Sequence, residues 1–177
     1  LEEFELVVLV TEKDEEIGSA EKLAAHQQNL LHRAFSIFIH NGKDEILLQK
    51  RAPSKYHSGG LWTNTCCSHP RPNENLIAAG TRRLQEEMGF TTELVAKFFF
   101  VYQAELANNL SEHELDHILV GQYNGQIAPN SDEVSEVKWL SIQELIHDVK
   151  TNPSLYTIWL QLIINQYETQ FIQAFQS

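Results

Sequence analysis

Residues Ser68–Phe90 read SHPRPNENLIAAGTRRLQEEMGF, and the rest of the chain is organised around what they form. Asn75–Met88 reads as a helix: Ile77, Gly80, Leu84 and Met88 fall on one stripe at helical spacing. Gly89 is a natural stop, because a glycine adopts the left-handed conformation that ends helices at little cost. Taken alone, the segment is an amphipathic helix with a charged outer face that carries Arg82, Arg83, Glu86 and Glu87.

Strand signals lie on both sides of it. Upstream, Glu5–Val10 is rich in strand formers and Lys13–Gly18 reads as a polar turn. Leu31–His40, Asn41-Gly42 and Glu45–Gln49 read as a hairpin with a tight turn. Ala52–Gly60, with Pro53 and the Gly59-Gly60 pair, reads as a loop. Downstream, strands are expected at Val95–Glu105, Glu112–Tyr123 and Val134–Leu140, with a turn at Asn124-Gly125. Ser141 and Glu144 have capping-box spacing at the start of a short helix, and a last helix covers Ser154–Ala174. Strands and helices mix without a βαβ rhythm, so the fold class is α+β, a mixed sheet flanked by helices. No repeat, low-complexity segment or long linker divides the 177 residues, and one domain over 1–177 is expected.

Composition removes several classes of function. A formal charge of −11 repels nucleic-acid phosphates over any broad surface. No apolar run is long enough to cross a bilayer. Leu1–Val10 carries Glu2, Glu3 and Glu5 where a signal peptide needs basic residues, so none is expected. The two cysteines, Cys66 and Cys67, are adjacent, which suits free thiols in a reducing cytoplasm. An anionic ligand would need a local basic cluster or a metal ion, and Lys50-Arg51-Ala52-Pro53-Ser54-Lys55 is such a cluster.

Candidate chemistry sits in three further places. Strand alternation puts Glu112, Glu114 and Asp116 on one face of their strand, and His113, Leu115 and His117 on the other. Neighbouring carboxylates either converge on a cation or retain a proton. Adjacent residues of an extended segment point to opposite sides, so only one of Cys66 and Cys67 faces a given site. His26 and His32 are six residues apart, which fits no local helix-face metal motif. His40, His57, His113, His117 and His147 read as structural or exposed.

Ser68–Phe90 resembles the Nudix box, written G-x5-E-x7-R-E-U-x-E-E-x-G-U with U apolar. Glu74, Arg82, Leu84, Glu86, Glu87, Gly89 and Phe90 match it; Ser68 replaces the first Gly and Arg83 replaces a Glu. In the resembled hydrolases the box glutamates bind magnesium beside a diphosphate. Arg83 removes one such ligand and offers a positive charge to the diphosphate. Just upstream, Trp62-Thr63-Asn64-Thr65-Cys66-Cys67-Ser68-His69-Pro70 resembles the cysteine motif of type 1 isopentenyl-diphosphate isomerases. The resemblance runs from about Leu6 to Trp159. It implies Cys67 as a catalytic residue, with Glu114 as its acid/base counterpart assisted by Tyr102. It further implies a metal held by His26, His32, His69, Glu112 and Glu114. Lys22, Arg51, Lys55 and Arg83 would surround the diphosphate, with a magnesium ion bridging it to Glu87. Trp62 and Trp159 would line the pocket. A mixed nitrogen and oxygen donor set suits zinc, manganese or iron better than calcium.

The implied reaction interconverts isopentenyl and dimethylallyl diphosphate. Protonation of an unactivated alkene gives a tertiary carbocation, and loss of a proton from the neighbouring carbon completes the shift. Glu114, with Tyr102, is expected to give the first proton and Cys67 to remove the other. Trp159 over the cation would contribute roughly 1–2 kcal/mol. A Nudix diphosphohydrolase is the alternative: it accounts for Arg82, Glu86 and Glu87 but not for Cys67, Glu112 and Glu114 together. A noncatalytic ligand-binding module leaves both acid/base groups unexplained.

Overall fold

The computed structural model describes residues 5–176. Glu2 and Glu3, on which part of the reading of the chain start rests, lie outside the described residues. Nine strands among these residues form one mixed sheet: β1 (Leu6–Val10), β2 (Glu16–Glu21), β3 (His32–His40), β4 (Glu45–Arg51), β5 (Trp62–Thr63), β6 (Cys66–Ser68), β7 (Leu94–Glu105), β8 (Ser111–Gln122) and β9 (Val134–Ser141). The helices are α1 (Lys22–Gln27), α2 (Leu76–Met88), α3 (Ile142–Thr151), α4 (Ile158–Gln166) and α5 (Glu168–Ala174). The α+β class and the mixed sheet agree with the sequence. No helix among the described residues is long and apolar enough to cross a membrane.

β3 is the spine, and nearly every residue of it is buried, as expected for a strand covered on both faces. It runs parallel to β8 from His32↔Glu114 to His40↔Gln122, and antiparallel to β6 through Phe35↔Ser68, Ser36↔Cys67 and Ile37↔Cys66. One face of β3 presents Phe35, Ile37 and Ile39 to α2, where Cys66, Leu84 and Met88 complete a core. On the other face Phe38 joins Ile118 and Val120 of β8 beneath α3, α4 and α5, with Trp159, Ile163 and Phe171. Along that second face β3 continues backward to Ser36, Ala34 and His32, and β8 to Asp116, Glu114 and Glu112. The side chains there change from apolar to ionisable, and the site lies at that change.

Helix α2 starts where the sequence places it. Asn75 caps it by accepting from Ile77 N and Ala78 N, and Gly89 ends it at φ 75°. Gly80 lets the helix approach the sheet, since a Cβ there would meet Leu119 Cδ1 at 2.9 Å. The capping box of Ser141 and Glu144 is present at α3.

Three expectations are corrected. The Lys13–Gly18 turn is shorter, because Asp14 turns at φ 64° and β2 already begins at Glu16 to pair with β1. The Leu31–Gln49 hairpin closes through a single pair, His40↔Ile46; β4 then leaves β3 to pair with β9 and β5. The last helix is broken twice. Tyr156 and Thr157 stay extended because they bond along β5, with Thr157 N donating to Trp62 O at 3.1 Å. Tyr167 leaves helical geometry, and its ring packs on Phe98 and Phe100.

Gly89→Ala tests the end of α2. The left-handed backbone costs an L-residue about 1–2 kcal/mol, and the new Cβ would meet Ala128 O at 2.7 Å. Urea unfolding should show a loss of at least about 1 kcal/mol; an unchanged midpoint contradicts this reading of the cap.

Candidate active site

Strand register assembles the site. Glu114 on β8 stands directly opposite Tyr102 on β7 and directly opposite His32 on β3. Tyr102 donates to Glu114 Oε1 at 2.5 Å, while Glu114 Oε2 lies 2.9 Å from His69 Nε2 and 3.5 Å from His32 Nε2. The two oxygens of Glu114 therefore have separate surroundings, one phenolic and one imidazole. Two residues along the same face, Glu112 Oε1 lies 2.9 Å from His26 Nε2 and 2.9 Å from His57 Nε2. His26 arrives on α1 and His69 just after β6, so residues far apart in sequence meet here.

The histidine tautomers test whether this group fits a cation. His26 Nδ1 is 2.7 Å from Lys22 O and His32 Nδ1 is 2.9 Å from Leu30 O. A carbonyl only accepts, so each Nδ1 carries its hydrogen and a neutral ring turns the Nε2 lone pair inward. Those lone pairs face carboxylate oxygens, an arrangement that needs a proton or a cation between acceptors. His32 Nε2 and Glu112 Oε2 are buried without any hydrogen-bond partner. The donors of His32, His69, Glu112 and Glu114, and those of His26, His57 and Glu112, lie within 4.8 Å of one another in each group. Such a buried set fits a divalent cation.

Electrostatics agree. Burial raises the Glu114 carboxyl, but the neighbouring His32 and His69 imidazoles outweigh it and hold the group well below the usual carboxylate range. Asp116, next on the same face, is pushed well above its usual range by burial and by Glu114. Its Oδ2 accepts from Ser36 Oγ at 2.7 Å.

The vicinal cysteines point to opposite sides, as alternation requires. Cys66 is fully buried in the core under α2, and Cys67 lines the cavity with Glu114, His69 and Trp159. Asn64 is oriented by two donations from its Nδ2, to Ile37 O and Cys66 O, both at 3.0 Å. Its Oδ1 therefore accepts the Cys67 thiol hydrogen at 3.1 Å, while Trp159 Nε1 donates to Cys67 Sγ at 3.1 Å. Burial, followed by Asp116, pushes the Cys67 thiol up to about 12. The cavity, about 150 Å³, is also lined by Lys22, Arg51, Lys55 and Arg83.

The chain matches the NUDIX domain family over residues 30–160. It is 51% identical over 160 residues to Isopentenyl-diphosphate Delta-isomerase 1 of Aromatoleum aromaticum, covering 90% of each chain. Isopentenyl-diphosphate Delta-isomerase 2 of Photorhabdus laumondii is 49% identical over 172 residues, with 97% of each covered. The chain belongs to the isopentenyl-diphosphate Delta-isomerase family, within the NUDIX fold. The crystal structure of DR0079 from Deinococcus radiodurans superposes with a TM-score of 0.75 at 16% identity, covering 92% of this chain and 98% of that one; it speaks for the fold alone.

Against this family background, three placements differ from the sequence reading. Trp62 does not line the cavity: it sits on the short strand β5, with Lys138 Nζ 4.1 Å over its ring. Glu87 is not among the residues lining the cavity; Gln49 Nε2 at 3.0 Å and Arg83 Nη2 at 2.6 Å hold it beside the lining Arg83. His57, read as structural, is buried against Glu112. No local spacing flags His57, since a loop carries it to the site. Tyr102, His26 and His32 reach the cavity only through Glu114, Glu112 and His69. Glu5 and Glu133 line the cavity and were not singled out.

Binding of a divalent cation should raise the melting temperature. At a cation concentration about a hundredfold above Kd the stabilisation is roughly 2.7 kcal/mol. Glu112→Gln removes a carboxylate shared by both imidazole groups and should abolish most of that rise in thermal scans with and without chelator. An equal rise in both proteins would show that the cation binds elsewhere.

Proposed function

We propose that this chain interconverts isopentenyl diphosphate and dimethylallyl diphosphate, with Cys67 and Glu114 as its acid/base pair. The observation that carries the reading is a protonated thiol and a buried carboxylate on one small cavity that also carries Lys22, Arg51, Lys55 and Arg83. The cations suit the diphosphate end of the substrate. The five-carbon end would lie between Cys67 and Glu114.

In this reading Glu114 Oε1, backed by the Tyr102 hydroxyl, exchanges a proton with one carbon, and Cys67 Sγ exchanges a proton with the other. Microscopic reversal exchanges their roles. Asn64 and Trp159 hold the thiol in place by hydrogen bonds to and from sulfur. The Trp159 ring borders the space where positive charge develops, and the buried walls limit access of water to the carbocation. His26, His32, His69, Glu112 and Glu114 would hold a divalent cation, manganese or zinc by their donor chemistry, with His57 beside Glu112. When bound, that ion orients Glu114 and tunes its proton affinity. Magnesium would accompany the diphosphate near Glu87. We treat 1–177 as a single catalytic domain, and the two free thiols suit the reducing cytoplasm.

The diphosphohydrolase reading is disfavoured by Arg83. It replaces a box glutamate and spends its charge on Glu86 at 2.5 Å and Glu87 at 2.6 Å, which removes one carboxylate from a hydrolytic metal cluster.

Incubation with isopentenyl diphosphate, followed by proton NMR and a parallel phosphate assay, tests the proposal. Dimethylallyl diphosphate should form without phosphate release. Cys67→Ala should lower turnover by about 10²–10⁴-fold with folding kept, and Cys66→Ala should stay within about tenfold, roughly 1.4 kcal/mol in barrier. Loss of turnover in folded Cys66→Ala with Cys67→Ala active would overturn the assignment.

A further inference from the structure

Asn64 Oδ1 is offered more hydrogens than it can accept. The amide is held in one orientation, because Nδ2 donates to Ile37 O and Cys66 O. The oxygen then faces three donors: Thr63 Oγ1 at 2.8 Å, Cys67 Sγ at 3.1 Å and Trp159 Nε1 at 3.1 Å. An amide oxygen has only two lone pairs. Two of the donors have a second acceptor within reach. Trp159 Nε1 is equally close to Cys67 Sγ, at 3.1 Å, and Cys67 Sγ is 3.9 Å from the hydroxyl of Ser36, which lines the cavity.

Thr63 has no such choice, and Thr157 is the reason. The two hydroxyls are 2.8 Å apart. Thr157 stands at the N-cap of α4, where a threonine side chain ordinarily accepts from the first turn, yet it makes no capping bond. Its one hydroxyl partner among the described residues is Thr63. Thr157 therefore donates to Thr63, and the Thr63 hydrogen goes on to Asn64 Oδ1. Thr63, Asn64 and Thr157 are each 1% exposed or less, so bulk water does not compete for these bonds.

The consequence falls on the Cys67 thiol. With Thr63 on one lone pair, the thiol and indole hydrogens contend for the other. When the indole takes it, the thiol hydrogen is displaced toward Ser36 and the cavity. When the thiol takes it, the indole hydrogen turns to sulfur. Without the Thr63 hydroxyl both would settle on Asn64 Oδ1, and the thiol hydrogen would stay turned to the amide. We infer that Thr63 is a positioning residue for proton transfer at Cys67: by filling one lone pair of Asn64 it makes the thiol and indole hydrogens alternate on the other. The inference rests on the isomerase reading of the cavity. It gives a task to a residue that does not itself line the cavity.

Thr63→Val tests it, since it removes the hydroxyl, nearly keeps the shape and leaves Thr157 free to cap α4. Turnover of isopentenyl diphosphate, with zinc and magnesium supplied, should show kcat lower by about three- to tenfold, the effect of roughly one net hydrogen bond, and KM within about twofold of wild type. Thr63→Ser keeps the donor and should restore kcat to within about twofold. Nitrogen–proton NMR of the indole groups, assigned with Trp159→Phe, supplies a readout independent of turnover. The Trp159 N–H resonance should move in Thr63→Val and keep its wild-type position in Thr63→Ser. If thermal melting shows Thr63→Val unfolded, Thr63→Cys, a weaker donor of similar size, should show the same changes to a smaller extent. An unchanged kcat in the folded variant, a lost kcat with the indole resonance unmoved, or a Thr63→Ser as slow as Thr63→Val overturns the inference and leaves the isomerase reading standing. Wild-type protein that forms no dimethylallyl diphosphate removes the isomerase reading, and this inference with it.

Discussion

Three carboxylates buried side by side on one face of β8 set the constraint that the rest of the site answers. Glu112, Glu114 and Asp116 are each less than a tenth exposed, in a chain of net charge −11. Removing one carboxylate from water costs several kcal/mol, and neighbouring like charges add to that. The surrounding elements supply the compensation. His32 comes from the neighbouring strand, His26 from α1, His69 from the end of β6 and Tyr102 from β7. Two backbone carbonyls, of Lys22 and Leu30, fix the imidazoles so that their free nitrogens face the carboxylates. A divalent cation in that donor set would satisfy His32 Nε2 and Glu112 Oε2, which are otherwise buried without partners.

The same constraint separates roles along β8. Glu114 is held ionised by imidazoles on one oxygen and meets the Tyr102 hydroxyl on the other. A carboxylate bound to a cation resists protonation, and two oxygens in different surroundings ease that conflict. In the proposed reaction one oxygen would serve the metal side and the other would take part in proton exchange. Asp116 is pushed the opposite way and takes a hydrogen bond from Ser36, whose hydroxyl lies 3.9 Å from Cys67 Sγ.

What the sequence made legible follows from periodicity. The two-residue repeat in β8 put Glu112, Glu114 and Asp116 together, and the same rule separated Cys66 from Cys67. Helix α2 was readable because its apolar stripe and its Gly89 stop agree, and the structure adds the Asn75 cap. The rest depends on contacts between distant segments. β4 leaves the expected hairpin because β9 and β5 offer it longer pairing, and the C-terminal helix breaks where Tyr156 and Thr157 bond along β5 and where Tyr167 packs on β7. His57 and Glu133 sit on loops whose sequence has no period, so nothing local marks them. Trp62 was expected in the pocket because the family resemblance implies it, yet its strand turns it under Lys138.

In the proposed reaction two protein groups exchange protons with a hydrocarbon while the diphosphate stays intact. Turnover of isopentenyl diphosphate in deuterium oxide, followed by NMR, addresses it most directly. Dimethylallyl diphosphate carrying solvent deuterium, with deuterium also entering recovered isopentenyl diphosphate and no phosphate released, is the expected result. Product formed without solvent deuterium, or phosphate released with the alkene unmoved, would contradict the account.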